Sequence, residues 1–448
     1  MPIYSIKKGL CEMEDIKLGK DINEQLLSMK IFDTHEHLMS EEERRLQNLD
    51  VFYLFSHYIG SDLVSSGMSE TDFNKILDKN IEIEKRWNIF LPHLENVRNT
   101  SYSRIVFESI NDLFGINDVN KDTYIKLSQK LEETKKMNWY EEILSKKCKI
   151  EYMLDFIENM PGIKDQRPLA KHGSVAVKNF DDIVSVCCME DIFRFGKKYN
   201  TSIYKLKDYL DMIEGIFEDS KKAGYKVLKI AIAYFRTLNF EEVTLAEADK
   251  VFSRLFMLKD YGFLERVDFL SKDELKPLQD FLMHYIIQKA IGYGWPVQIH
   301  SGLLNGNRNN VANANPCFLI NLFLKYRNCN FDIFHAGFPF TEELIAITKQ
   351  FSNVYFDLCW IQQVSFKLYK DTLSLALETI PSNKIFAFGG DNFIVECTYG
   401  SQKIVRKLIS EIMYEKVKDG YFTFDQAIKT AEKILYLNPK SVYDQALL

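Results

Sequence analysis

Eight short β-branched or apolar runs, set apart by stretches with helical spacing, constrain this chain more than any other feature of it. They are Ile31 to His37, Ile150 to Phe156, Ile183 to Met189, Lys226 to Ala233, Pro296 to His300, Phe331 to His335, Val354 to Cys359 and Ile385 to Gly390. Such alternation is the signature of repeated βα units on a parallel sheet, and eight units make a closed barrel. The expected fold is therefore α/β, a (β/α)8 TIM barrel.

The spacing of the runs is uneven, and the largest gap has its own meaning. Between the first and second runs the chain carries helical spacing throughout, as in N-K-I-L-D-K-N-I-E-I-E-K-R-W at 74 to 87 and Y-I-K-L-S-Q-K-L-E-E-T at 124 to 134. The reading is a barrel built from residues 1 to 37 and 149 to 448, with 38 to 148 a large helical insertion or cap after strand one. A helix from Lys272 to Ile291, with Pro277 in its early turns and Gly292 and Gly294 after it, precedes the fifth strand.

Composition narrows the function classes. A net charge of −6 over 448 residues offers no basic footprint for nucleic acid. No apolar stretch is long enough to span a bilayer, and the N-terminus lacks the apolar region of a signal peptide. Eight cysteines, none in a C-x-x-C pair, point to a reducing compartment, so the expected location is cytoplasmic. The expected partner is a small-molecule substrate, with neither nucleic acid nor membrane; homo-oligomerisation is compatible with this profile.

The chemistry-bearing residues gather at the ends of the runs, where barrel enzymes place their sites. The first run, I-F-D-T-H-E-H-L, ends in His35 and His37, which point the same way from a strand. The fifth ends at His300, the sixth at His335, and the eighth, I-F-A-F-G-G-D-N-F, at Asp391, where two glycines allow close approach of the backbone to a bound group. Lys229 lies among alanines on one face of the fourth, reaching the surface, paired with a carboxylate such as Asp182, or carboxylated into an anionic bridge. Taken singly, His300 reads as a core histidine and Asp391 as a helix cap. Taken together, histidines and an aspartate at separate strand ends, in order, read as a divalent metal site. His57, His93, His172 and His284 read as packing or surface residues.

These motifs resemble the amidohydrolase superfamily, whose ligands run H-x-H, Lys, His, His, Asp along the chain. The closest patterns are those of the branch that includes uronate isomerase and the nodulin-related amidohydrolase domain. They are carried by L-P-H-L-E-N-V-R-N-T-S-Y-S-R at 91 to 104, K-I-A-I-A-Y-F-R at 229 to 236, V-Q-I-H-S-G-L-L at 297 to 304, F-H-A-G-F-P-F at 334 to 340, V-Y-F-D-L-C-W at 354 to 360 and I-F-A-F-G-G-D-N-F at 385 to 393. The resemblance implies that His35, His37 and Asp391 bind one metal. It also implies that His300 and His335 bind a second or hold the substrate, with Lys229 bridging if carboxylated. Uronate isomerases resemble this chain less at His335 and Lys229, which favours a hydrolase over an isomerase or decarboxylase. A non-catalytic barrel scaffold is the remaining alternative.

The expected reaction is attack of a metal-activated water on an amide, lactone or similar carbonyl, with Asp391 and His335 as catalytic groups. Imidazole ligands favour zinc, as one ion or two, over manganese, iron or nickel. Tyr234, Arg236, Trp360, Arg98 and Asn99 are the expected substrate contacts, Arg236 with a structural salt bridge as its alternative role.

Overall fold

The computed structural model describes residues 2–156, 173–257 and 270–447; His172 lies outside them. Eight parallel strands, in the order of the sequence, form one sheet: β1 Ile31–Glu36, β2 Ile150–Asp155, β3 Ser174–Asn179, β4 Val227–Ile230, β5 Val297–Ile299, β6 Phe331–Ile333, β7 Val354–Asp357 and β8 Ile385–Phe386. Main-chain bonds from Thr34 N to Phe388 O (3.1 Å), Asp391 N to His35 O (2.7 Å) and His37 N to Asn392 O (3.0 Å) run the last strand's extension along the first. The fold is a (β/α)8 barrel.

Seven of the expected runs hold a strand, and one does not. Ile183 to Met189 is not the third strand: Asp181–Val184 and Met189–Lys198 are helical, and the strand lies earlier, at Ser174–Asn179. Asn179 explains the difference, because its side-chain oxygen accepts the Asp181 N–H at 2.9 Å, an Asx turn that ends extension and starts a helix. Ile183, Val184 and Val186 are buried by that turn rather than by a pleat.

By its contacts the chain divides into two compact units. The first is Met1–Ser174 with Asn305–Asn309 and Asp357–Ser441, and carries β1, β2 and β8. Its described residues between β1 and β2 form helices and turns without a strand, among them Ile83–Val97 and Ser101–Phe114. Arg44, fully buried, pairs there with Glu396 of the helix Val395–Lys418, and Trp139 Nε1 donates to the same carboxylate at 2.8 Å. A buried charge needs such partners, so this pair fixes where the segment packs.

The second unit, Val175–Leu304, Asn310–Phe356 and Val442–Leu448, carries β3 to β6 and most of β7. Its strand interior is partly polar: Tyr443 donates to Asp332 Oδ2 at 2.5 Å and accepts from Gln298 Nε2 at 3.1 Å, satisfying groups with no solvent exposure on β5 and β6. The helix Lys272–Tyr293 runs two residues past its expected end, through Gly292, and Gly294 caps it in the left-handed region at φ 71°. No helix among the described residues is long and apolar enough to cross a membrane.

Candidate metal centre

The first unit assembles its polar cluster from β1 and the turn after β8. Strand period two sends His35 and His37 the same way, and their Nε2 atoms lie 3.2 Å apart. Asp391 Oδ1 is 3.0 Å from His37 Nε2 and 3.7 Å from His35 Nε2. The three donor atoms fall within 4.8 Å of one another. His37 Nδ1 faces the Phe156 carbonyl at 2.9 Å, so that nitrogen carries the proton and Nε2 keeps its lone pair toward Asp391. Two imidazoles and a carboxylate, one ring held in its ligating tautomer, fit a divalent cation.

Several groups hold this arrangement in place. Asp391 has a left-handed backbone, φ 55°, and its main chain is tied at both ends, the amide to His35 O and the carbonyl by the Tyr58 hydroxyl at 2.6 Å. The preceding glycines serve packing rather than access to a bound group. A Cβ on Gly390 would lie 1.8 Å from Glu36 Oε1, and one on Gly389 would lie 2.5 Å from Cys359 Sγ. Glu36 in turn accepts the Asn392 amide at 2.6 Å, while Asp33 accepts those of His35 and Gly390. Burial raises Asp33 to about 8 and Glu36 well above its usual range; the two share a hydrogen bond in which Glu36 is the donor.

Aromatic rings enclose the cluster. His37 meets Phe156 and Phe393 edge-on at 5.1 and 5.0 Å, and Phe393 stacks on His57 at 4.0 Å. Burial holds His57 down to about 3, so its ring is neutral. His57 and Tyr58 were not expected here. They sit in the helical segment, far from any strand end, and no spacing signal marks them. Trp360, expected to meet substrate, is 1% exposed and packed 5.1 Å from Tyr58. Arg98 bonds Glu95, Asp118 and the Val119 carbonyl, all within the helical segment, and Asn99 beside it is exposed.

The second unit brings together another set. His335 Nε2 is 3.1 Å from His300 Nδ1, and His300 Nε2 faces the Leu303 carbonyl at 2.8 Å. His335 adopts φ 64°, as strained for a non-glycine residue as Asp391 is. Tyr234 lies beside this pair, its ring 5.2 Å from His300. Lys229 is 2% exposed, with its ammonium 3.5 Å from the centre of the Phe334 ring. The carboxylate that feels its charge is Asp181 rather than Asp182. Burial raises Asp181 to about 6, while the Asn179 side chain, the Ala231 amide and Lys229 pull it back.

Arg236 does not present its fork to a ligand. Its guanidinium bonds Asp280 Oδ1 at 2.5 Å, the Asn239 carbonyl at 2.9 Å, Gln279 and the Thr237 carbonyl, so it holds the structural salt bridge that was its alternative role. His284 packs as expected, its Nδ1 2.8 Å from the Tyr326 hydroxyl.

Comparison with known proteins agrees with the fold. A family model described as Amidohydrolase matches residues 256–445. Protein fluG of Emericella nidulans is 28% identical over 177 residues, 38% of this chain and 20% of that protein, so the chain spans a fifth of that relative's length. Glucuronate isomerase from Caulobacter crescentus superposes with a TM-score of 0.76 at 14% identity, over 96% of this chain and 94% of its own. Uronate isomerase from Thermotoga maritima gives 0.73 at 15%, over 95% and 97%. A candidate metal-dependent hydrolase from Lactobacillus casei gives 0.65 at 15%, over 95% and 97%.

Proposed function

We propose that this chain, which a family model described as Amidohydrolase matches over residues 256–445, is a metal-dependent hydrolase of the amidohydrolase superfamily whose divalent ion is held by His35, His37 and Asp391. The observation that carries this reading is the convergence of His35 Nε2, His37 Nε2 and Asp391 Oδ1, with His37 Nδ1 tied to the Phe156 carbonyl. Zinc suits such a set. Bound there, it supplies Lewis acidity and lowers the pKa of a water to about 7.

The chain's own groups do the rest. Asp391, its backbone fixed by His35 and Tyr58, takes the proton of the attacking water and returns it to the leaving group. In the second unit, His300 and His335, with Tyr234 beside them, offer imidazole nitrogens to a small polar substrate. Lys229, 2% exposed, lies with its Nζ 3.5 Å from the centre of the Phe334 ring; carboxylated, it would add an anionic ligand.

The test is Asp391→Asn assayed against a panel of amides and lactones with metal content measured in parallel. Turnover near the wild-type rate in that variant would sink the proposed proton transfer. Sugar-acid isomerisation is the second reading, favoured by the likeness to two uronate isomerase structures along nearly the whole chain. Product mass separates the two, since isomerisation leaves it unchanged and hydrolysis adds a water.

A further inference from the structure

The loop after β3 carries a second group of ligating side chains that the proposed chemistry leaves unused. Cys187 and Cys188 are adjacent, and Asp191 follows one turn into the helix Met189–Lys198. One donor atom from each lies within 4.8 Å of the other two. We propose that Cys187, Cys188 and Asp191 form a site for a thiophilic divalent cation of the zinc and cadmium class, sharing no residue with the centre at His35, His37 and Asp391.

The local bonding aims the carboxylate at the thiols. Asp191 Oδ2 accepts the Cys187 amide at 3.0 Å and lies 3.3 Å from Cys187 Sγ. Its other oxygen accepts from Arg194 at 2.9 Å, which fixes the plane of the group. Against the effect of burial, the Cys187 amide, the two thiols and Arg194 hold its carboxyl below the usual range. Cys188 occupies the N-cap of the helix in an extended conformation, φ −151° and ψ 170°, yet its side chain makes no capping bond. The sulfur lies at the helix start beside the Asp191 carboxylate, where a serine or aspartate would serve as the cap.

A packing role accounts for less of this. Cys148, Cys329, Cys359 and Cys397 are buried, as cysteines that act as small apolar groups are, whereas Cys187 and Cys188 are half-exposed. Among the described residues no other pair of cysteines joins in such a group. Both thiols turn to Asp191, which places two soft donors on one carboxylate.

Binding is proton exchange without redox change. Each thiol gives its proton to water, two sulfur–metal bonds form, and the carboxylate adds an oxygen. Three protein donors are one short of the four that close a structural zinc site, so the remaining position belongs to solvent and the ion exchanges. Soft sulfur donors select cadmium and zinc over magnesium or calcium.

Cadmium chloride titrated into the reduced, metal-loaded protein, followed by the ultraviolet thiolate-to-cadmium absorption, tests this directly. His35, His37 and Asp391 carry no sulfur, and the one thiol within 4.8 Å of Asp391 among the described residues, Cys359, is controlled by its own variant, so failure here and failure of the hydrolase reading are distinguishable. The expected result is a band saturating at about one equivalent, halved in Cys188→Ser, lost in Cys187→Ser/Cys188→Ser and kept in Cys359→Ser. Asp191→Asn, which retains both thiols, moves the midpoint to higher cadmium. A band that persists in the double variant, no band in the wild type, or an unmoved midpoint in Asp191→Asn would overturn the proposal.

Discussion

The two histidine pairs of this chain have nearly the same spacing, 3.2 Å between His35 and His37 and 3.1 Å between His300 and His335, and different partners within their own units. The first has the Asp391 carboxylate 3.0 Å away. The second shares its unit with Lys229, whose ammonium rests on an aromatic face, and with Asp181, whose oxygens accept bonds from Asn179 and the Ala231 amide. The first pair has its carboxylate within its own unit, and on that ground we propose the ion there and the substrate at the second pair.

The largest expected effect falls on the first cluster. Asp391→Asn should lower kcat by roughly a hundred- to ten-thousandfold, the range of a lost general base, and reduce metal content as well. His335→Ala should cost about a hundredfold in kcat yet keep the ion, a split that steady-state kinetics and elemental analysis on one preparation would register. Equal metal loss in both variants would erase the distinction between the clusters.

Arg236→Ala sharpens the comparison by moving stability instead. It leaves Asp280, 1% exposed, with Lys276 and the Glu241 amide but without its guanidinium partner, and should cost about 1.5–3 kcal/mol in denaturant unfolding with KM little changed. A raised KM at unaltered stability would return Arg236 to substrate binding.

The smallest effect concerns pH. Burial holds His57 at about 3 in the fold against an ordinary 6.5, so between those values the unfolded chain binds more protons and stability falls as pH falls. His57→Phe removes that linkage while keeping a ring on Phe393. Its Tm should drop less than the wild type's between about pH 7 and pH 4.

What the sequence reveals follows from how local each signal is. β1, β5 and β6 are short apolar runs ending in histidine, so fold and candidate ligands are legible together. β3 is hidden because S-V-A-V-K-N is only partly buried and the run at 183–189 is more apolar, while the Asx turn that decides between them rests on one side chain, Asn179. Arg236 and Asp280 are 44 residues apart and Tyr58 lies 333 from Asp391, so neither contact leaves a trace in spacing. The glycines before Asp391 were legible as points of close approach, but what approaches is Glu36 and Cys359 rather than a ligand.

The most direct test of the account is metal content per chain in His37→Ala and His335→Ala, purified side by side without chelators. The assignment predicts about one ion in the wild type, retained in His335→Ala and lost in His37→Ala. An ion retained in His37→Ala and lost in His335→Ala would contradict it.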